Sequence, residues 1–263
     1  MPTTLINSSS WNYQDSGSGP TIVLLHGFPL SNQIWRDVVP ELARRHRVIA
    51  PDFPGFGKST LGQPFTIASL ADDLHTLLRQ IGASPCVLGG LSMGGYVAAA
   101  YYRAFAASLR GLMLIDTKVE ADTDAQKQGR TQMIELVHSH GAKAVSDQMF
   151  PKMLGTGVAA SRPQLAHGLR EIMESCPPAT IEAACLAMRD RPDNTDLLPG
   201  ISIPTLVIVG QSDVITPPAA AEKMRAAIPK AHLATIPQAG HLSPMEHPVL
   251  VAQAIGRFVE GIK

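Results

Sequence analysis

Residues 85–96, PCVLGGLSMGGY, hold the pattern that decides the fold. An apolar run typical of a buried strand ends at Ser92, and a helical, alanine-rich pattern begins immediately at Met93. A strand that turns directly into a helix strains the backbone of the residue at the turn and projects its side chain above the sheet. Glycine at positions 90 and 94 removes the side chains that would collide there. The spacing G-x-S-x-G therefore predicts that Ser92 is a nucleophile.

A serine in front of a helix can also serve only as an N-cap. The catalytic interpretation of Ser92 therefore needs partners elsewhere in the chain: a base, an acid and two oxyanion donors. The helix that starts near Met93 favours this interpretation, because its free N–H groups and positive dipole end face the serine.

Strand patterns alternate with helix patterns along most of the chain, which predicts a mostly parallel sheet with helices on both faces. We predict an edge hairpin over residues 5–13, the strand before Ser92, and strands at 21–25, 48–50, 112–115, 204–209 and 232–236. The main predicted helices cover residues 31–45, 67–81, 124–140, 141–149, 161–175, 178–189, 218–228 and 248–259.

The alternation stops between residues 117 and 199, where all of the patterns are helical. We therefore predict an α/β core formed by residues 1–116 and 200–263, with a helical cap inserted at 117–199. Because the cap follows the strand that ends at Asp116, we expect it at the carboxyl edge of the sheet, where Ser92 lies and where such sheets bind ligands.

The best candidate for the acid is Asp213, which follows a buried strand and precedes Pro217. Asp116, at the end of its own strand, is a weaker rival. The predicted base is His241, in the loop after the last strand, whereas His247 is expected only to start the final helix. The chain order of Ser92, Asp213 and His241 is the order expected once an elbow serine is present.

Two backbone N–H groups are predicted to form the oxyanion hole. Met93 follows the nucleophile and supplies one of them. Phe28, in the stretch HGFP, supplies the other, because Pro29 has no N–H. We expect His26 in the same stretch to be structural, with its ring bonded to nearby backbone.

Five motifs stand in one order along the chain: HGFP at 26–29, DFPGFGKS at 52–59, GLSMGG at 90–95, QSDVITPP at 211–218 and GHLSPMEHP at 240–248. On these motifs the chain resembles an α/β-hydrolase over essentially its whole length. Within that superfamily it is similar to the branch of small carboxylesterases and 3-oxoadipate enol-lactonases, which carries a short helical cap. The lactonase-like members tend to place aromatic residues in the cap, whereas the cap here has no Trp or Tyr.

The resemblance implies a carboxylic ester hydrolase that acts on small, largely apolar acyl esters through an acyl-enzyme on Ser92. It implies no metal and no organic cofactor. Three alternatives stay open: an enol-lactone hydrolase, a cofactor-free perhydrolase, and a ligand-binding, receptor-like module that retains the triad. Haloalkane dehalogenases and epoxide hydrolases of this fold differ, because they carry aspartate at the elbow.

The balance of 22 Lys and Arg against 22 Asp and Glu gives no net charge, so nothing steers the protein to nucleic acid or to an anionic membrane. We expect a small-molecule ester or lactone as its partner. The chain has no run of about 20 apolar residues and no signal peptide at its start, which predicts a soluble, cytoplasmic protein. Cys86, Cys176 and Cys185 are predicted to be buried free thiols.

Substrate choice is expected to depend on the cap. Apolar, adaptable side chains that could line the acyl pocket are Met133, Met149 and Met153 in the cap and Leu242 beside the predicted base. Some arginines of the cap could bind a substrate carboxylate, although solvated side chains are the simpler interpretation. The candidates are Arg130, Arg162, Arg170, Arg189 and Arg191, and the sequence does not rank them.

Overall fold

The computed structural model of the chain describes residues 1–262, which contain eight β-strands. The strands are β1 (Thr3–Ile6), β2 (Ser9–Ser16), β3 (Thr21–Leu25), β4 (Arg47–Pro51), β5 (Cys86–Leu91), β6 (Leu109–Ile115), β7 (Thr205–Gly210) and β8 (Ala231–Ile236). They form one sheet in the order β1-β2-β4-β3-β5-β6-β7-β8. The neighbours from β4 to β8 run parallel, whereas β1 and β2 form the antiparallel edge hairpin. The α/β sheet and the hairpin are confirmed.

Helices connect the parallel strands. The α-helices are α1 (Val39–Leu42), α2 (Ile67–Gln80), α3 (Met93–Phe105), α4 (Asp124–Met149), α5 (Val158–Ser161), α6 (Pro163–Glu174), α7 (Pro178–Arg189), α8 (Pro218–Ala227), α9 (Ser243–Glu246) and α10 (Pro248–Glu260). Short 3-10 helices lie at Asn32–Trp35, Ala106–Ser108, Phe150–Lys152 and Thr195–Gly200.

Two of the predicted helices are interrupted. The prediction of one helix over residues 31–45 is wrong, because the chain forms a 3-10 helix at Asn32–Trp35 and then the single turn α1. Pro40 lacks an N–H and is tolerated only in the first turn of a helix, which fits a helix that starts again at Val39. The predicted helix over 161–175 is broken at Arg162, because the residue before a proline disfavours the helical conformation.

The sheet is buried on both faces, which explains its nearly continuous apolar strands. Neighbouring residues of one strand point to opposite faces: Leu88 packs with the hydrophobic cluster under α2 and α3, and Val87 packs with the cluster under α1 and α10. Because β3, β5, β6, β7 and β8 run parallel, their carboxyl ends lie at one edge of the sheet.

Between β6 and β7 the chain forms no strand, and its helices α4 to α7 are called the cap below. The helix α4 changes direction at Gly141, whose φ of 73° and ψ of -178° lie outside the helical range. This is the boundary predicted between the helices at 124–140 and 141–149, and glycine adopts that conformation without a steric penalty. The division into a core and a cap at residues 117–199 stays a prediction.

Within residues 1–262, no helix is both long enough and apolar enough to cross a membrane. The cytoplasmic location of the protein stays a prediction. Cys86, Cys176 and Cys185 are buried free thiols, as predicted.

Candidate active site

Ser92 occupies the sharp turn between β5 and α3. Its backbone has a φ of 53° and a ψ of -115°, a conformation that costs a non-glycine residue about 1–3 kcal/mol. Two hydrogen bonds hold the turn: the Ser92 N–H donates to the carbonyl of Ile115 at 3.0 Å, and the Thr117 hydroxyl donates to the carbonyl of Ser92 at 2.8 Å. Ile115 ends β6 and Thr117 follows it by two residues, so the neighbouring strand and the loop after it fix the elbow.

The glycines of the motif allow the strand and the helix to cross closely. A Cβ atom at Gly90 would overlap the backbone carbonyl of Gly94. Since neither atom belongs to a flexible side chain, no rotamer change could relieve the overlap. The G-x-S-x-G spacing is thus a steric requirement of this turn.

Asp213 and His241 form a buried pair at the neighbouring strand ends. The Nδ1 of His241 lies 2.8 Å from Oδ2 of Asp213, and the Thr216 hydroxyl donates to the same oxygen at 2.6 Å. The other oxygen of Asp213 accepts the N–H groups of Ile215 at 2.8 Å and Thr216 at 3.0 Å. Because Nδ1 donates to the carboxylate, the ring presents Nε2 as its acceptor. Thr216 was not predicted from the sequence as a partner of the acid, because no local pattern marks it.

The two members of this pair stabilise each other's charge. Burial alone would raise the pKa of Asp213, but its hydrogen bond with His241 and the charge of that ring hold the pKa below its ordinary value. Burial alone would lower the pKa of His241, but its hydrogen bond with Asp213 and the charge of that carboxylate raise the pKa above its ordinary value. The carboxylate therefore stays ionised at neutral pH.

Ser92, Asp213 and His241 follow β5, β7 and β8, so all three lie at the carboxyl edge of the sheet. Among the described residues, no hydrogen bond joins the Ser92 hydroxyl to the His241 ring, whereas the bond between His241 and Asp213 is formed. Bonds between nucleophile and base are often long in ligand-free enzymes and tighten when substrate binds.

The two predicted oxyanion donors share one feature. The backbone N–H groups of Phe28 and Met93 have no acceptor among residues 1–262, although both residues are buried. Buried N–H groups without a partner are rare in folded proteins, and a ligand is one of the partners that satisfies them. The N–H of Met93 also opens α3 and carries the positive end of its dipole.

His26 orients the peptide group that carries the Phe28 N–H. Its Nδ1 lies 2.8 Å from the carbonyl oxygen of Gly27, and its Nε2 accepts the N–H of Phe53 at 3.0 Å. In a planar trans peptide the N–H points away from the carbonyl, so the bond to Gly27 directs the Phe28 N–H to the opposite side. Burial lowers the pKa of His26 to about 4, which keeps the ring neutral. These contacts agree with the structural role expected for His26.

Asp116 differs from Asp213 because none of its hydrogen bonds to described residues goes to His241. Its carboxylate accepts the N–H of Gly210 at 2.7 Å and the hydroxyl of Ser243 at 2.5 Å. Burial raises the pKa of Asp116 to about 7. Asp116 thus ties the end of β6 to the end of β7 and to the loop that carries His241. Sequence reasoning missed Ser243, although it stands only two positions after His241.

Glu246 joins the cap to the histidine loop and was also missed. Its buried carboxylate accepts the N–H of Gly240 at 2.8 Å and the N–H of Gly155 at 2.9 Å. The N–H of Leu242 donates to the carbonyl of Met153 at 3.1 Å. The segment at 153–155 is therefore fixed to the residues on both sides of His241.

The four predicted acyl-pocket residues differ in burial. Met133 and Met149 are half-buried on α4, whereas Met153 and Leu242 are fully buried in the hydrophobic cluster under α10. All four stay predictions.

The five candidate arginines also differ. Arg170 pairs with exposed Asp147, Arg189 pairs with its exposed neighbour Asp190, and Arg162 donates to the backbone carbonyl of Glu246. Arg130 and Arg191 belong to a charged cluster at the base of the cap.

The alpha/beta hydrolase fold family matches residues 20–248. The chain belongs to this family. The assignment agrees with the predicted fold and with the serine elbow that ends β5.

Three similar proteins match this chain over nearly the whole length of both chains. The chain is 38% identical to a thermophilic esterase from Thermogutta terrifontis, solved with malate bound, with a TM-score of 0.96 and coverage of 100% of this chain and 99% of that one. It is 28% identical to a pimeloyl-[acyl-carrier protein] methyl ester esterase from Aeromonas hydrophila, over 92% of this chain and 96% of the relative. An enol-lactonase from Burkholderia xenovorans LB400 is 23% identical, with a TM-score of 0.92 over 98% of this chain and 100% of that one.

Proposed function

We propose that the protein is a serine hydrolase that cleaves small, largely apolar carboxylic esters through an acyl-enzyme on Ser92. The observation that carries this proposal is the buried pair of His241 and Asp213, joined at 2.8 Å on the sheet edge that also presents the elbow serine. The two esterases among the relatives support ester hydrolysis. The enol-lactonase, at 23% identity, supports only the fold.

Acylation begins at Nε2 of His241, which accepts the proton of the Ser92 hydroxyl as the oxygen attacks the ester carbonyl carbon. The negative charge that develops on the carbonyl oxygen is held by the N–H groups of Phe28 and Met93. When the tetrahedral intermediate collapses, the bond to the alcohol oxygen breaks, and protonated His241 gives its proton to that oxygen. The products of this step are the free alcohol and an ester on Ser92.

Deacylation repeats the steps with water as the nucleophile. His241 accepts a proton from water, the resulting hydroxide attacks the acyl-enzyme, and the same two N–H groups hold the oxyanion. The proton returns to the Ser92 oxygen, which releases the carboxylic acid. Asp213 stays ionised throughout and keeps His241 in the tautomer whose Nε2 is free.

The proposal is tested by measuring kcat/KM for 4-nitrophenyl acetate and 4-nitrophenyl butyrate with the purified protein and with Ser92→Ala. We expect the wild type to hydrolyse the esters and the variant to lose at least about 10³-fold in kcat/KM. Equal rates for the two proteins would contradict a role for Ser92. A wild type that binds esters but turns over none of them would favour the receptor-like alternative.

The pH profile of the same reaction tests His241 as the base. A base must be neutral, so kcat/KM should rise as the pH passes upward through the pKa of His241. Because Asp213 raises that pKa, the rising limb should lie above the ordinary histidine value of about 6.5. A flat profile from about pH 5 to 8 would exclude His241 as the base.

The lactone and perhydrolase alternatives use the same residues and differ in the substrate or in the attacking group. Hydrolysis of a lactone opens a ring, so the alcohol and the acid remain in one product molecule. A perhydrolase differs by using hydrogen peroxide in place of water in deacylation. Adding a lactone panel and peroxide to the assay above separates both alternatives from ester hydrolysis.

A further inference from the structure

Glu246 is a buried carboxylate that the proposed reaction does not use, although it lies close in sequence to the proposed base. Its Oε1 accepts the N–H of Gly240 at 2.8 Å, and its Oε2 accepts the N–H of Gly155 at 2.9 Å. Both oxygens therefore act as acceptors, as expected of an ionised carboxylate. One side chain thus connects the residue directly before His241 with the cap.

The side chain of Glu246 closes the loop that carries His241, residues 239–246, which is called the histidine loop. Its last residues form α9, a single turn in which the N–H of Glu246 donates to the carbonyl of Leu242 at 3.0 Å. From the end of this turn the carboxylate reaches back to Gly240. The N–H of Gly240 has no other acceptor among residues 1–262. His241 therefore lies between two positions that this hydrogen bond holds together.

Close backbone contacts enclose the start of the histidine loop. A Cβ atom at Gly240 would overlap the backbone nitrogen of Gly155, and a Cβ atom at Gly210 would overlap the backbone carbonyl of Gly240. The N–H of Ser212 also donates to the carbonyl of Ala239 at 2.8 Å. The loop is thus packed between the end of β7 and the cap segment at 153–155, and Glu246 bonds to both the loop and that segment.

We propose that Glu246 is a positioning residue for His241. By holding Gly240, its carboxylate keeps Nε2 of the ring within reach of the Ser92 hydroxyl when substrate is bound. A misplacement of about 1 Å can lower a rate by about 10²-fold, so a small shift of this loop is sufficient to affect the reaction. The inference rests on the proposed ester hydrolysis and adds a supporting residue to that site.

Fastening the cap is the alternative role for Glu246. The bond to Gly155 and the bond from Arg162 to the backbone carbonyl of Glu246 both join the cap to α9. Loss of fastening alone would lower the melting temperature and the active fraction of the protein, which would affect all esters in the same proportion. Misplacement of His241 would instead affect most strongly those esters whose leaving group needs its proton.

The test compares ethyl butyrate with 4-nitrophenyl butyrate, which share the acyl group and differ in the leaving group. 4-Nitrophenolate is a stable anion that leaves without a proton, whereas the ethanol oxygen must receive the proton of His241. We expect Glu246→Gln to lower the ethyl-to-nitrophenyl ratio of kcat/KM by about 10-fold, a part of the 10²- to 10⁴-fold that general acid–base catalysis typically supplies. The amide keeps the size of the side chain but points an NH₂ group at one of the two N–H donors.

Three further variants show whether the ratio reports on the base. Glu246→Asp keeps the carboxylate on a shorter side chain that cannot reach both N–H groups, so its ratio should lie between those of the wild type and Glu246→Gln. Glu222→Gln removes an exposed glutamate of α8 and should leave both rates unchanged. Thr180→Val removes the hydrogen bond from the Thr180 hydroxyl to the carbonyl of Gly55, which joins α7 to the core. It should lower the melting temperature and leave the ratio unchanged.

An unchanged ratio in a folded Glu246→Gln variant would overturn the inference and leave Glu246 a role in fastening the cap. The ratio does not depend on the active fraction, because both esters are assayed with the same protein. If Glu246→Gln does not fold, as judged by its melting curve, Glu246→Asp takes its place, and an unchanged ratio in that variant would also overturn the inference.

The charge of Glu246 also acts on the ring. Among the described residues, the carboxylates of Asp213, Asp116 and Glu246 face His241, and each raises its pKa. Glu246 itself faces the cation of Arg162 and the carboxylate of Asp213, and burial is the main cause that raises its own pKa. Because glutamine carries no charge, Glu246→Gln should lower the pKa of His241.

An NMR titration of the His241 ring separates this inference from the proposed function, because it needs no ester hydrolysis. We expect a lower pKa in Glu246→Gln than in the wild type and no change in Glu222→Gln. A lowered pKa without ester hydrolysis by the wild type would retain the link between Glu246 and His241 and overturn the function. Ser92-dependent hydrolysis whose ester ratio ignores Glu246 would retain the function and overturn the inference.

Discussion

The carboxyl edge of the sheet and the cap hold their functional candidates in different ways. At the edge, Asp213 accepts four hydrogen bonds, and Ser92 is fixed by the end of β6. These hydrogen bonds hold the side chains of the edge in the fixed geometry that a reaction requires. In the cap, the long helix α4 buries only Val137, Val145 and Ser146, and most of its other polar side chains are exposed to solvent. The cap packs on the core through both hydrophobic clusters, and Glu246 and Leu242 bond to its segment at residues 153–155.

The two buried acids of the edge, substituted separately, give the strongest test of this account of the edge. Asp213→Asn should lower kcat by about 10⁴-fold, because an amide no longer fixes the tautomer of His241 or stabilises its cation. Asp116→Asn should lower kcat by less than about 10-fold, because Asp116 forms its hydrogen bonds with Ser243 and Gly210 and not with the ring of His241. Steady-state kinetics on a 4-nitrophenyl ester measures both.

The reverse order, with Asp116→Asn more damaging than Asp213→Asn, would make Asp116 the acid of the reaction. The fold of each variant is checked by its melting temperature. Ser243→Ala is a matched control for the Asp116 contact, and we expect its kcat to resemble that of Asp116→Asn.

A second test compares glycines of the two regions. Gly90→Ala should lower the free energy of unfolding by about 3 kcal/mol, because the new Cβ would overlap the backbone of Gly94. Gly168→Ala should raise it by about 0.5–1 kcal/mol, because Gly168 lies inside α6 with no atom near the position of a new Cβ. Urea unfolding of the two variants measures the difference. A neutral Gly90→Ala would show that the elbow tolerates a side chain.

Much of the edge could be predicted because local sequence carries its constraints. The elbow needs glycines around Ser92, and each strand end is marked by an apolar run that stops at a polar residue, as at Asp213. The order of these strand ends along the chain predicted that Asp213 and His241 form a pair. In the structure, Nδ1 of His241 lies 2.8 Å from Oδ2 of Asp213. Their catalytic roles, like those of Phe28 and Met93, stay predictions.

The contacts that support the edge could not be predicted, because they join distant positions without a local pattern. Asp116 meets Ser243 across 127 positions, and Glu246 meets Gly155 across 91. The arginines of the cap could not be ranked for the same reason, since the burial of Arg191 depends on the separate segment that carries Asp122. The prediction of one helix at 31–45 was wrong because it relied on the spacing of apolar residues and did not take Pro40 into account.

The central claim, an acyl-enzyme on Ser92, is tested most directly by trapping the nucleophile. The protein is incubated with diethyl 4-nitrophenyl phosphate, which phosphorylates activated serines, and the modified peptide is identified by mass spectrometry. We expect one diethyl phosphoryl group per chain, located on Ser92, and a loss of esterase activity in proportion to the labelled fraction. A label on another residue, or full esterase activity after complete labelling of Ser92, would contradict the claim.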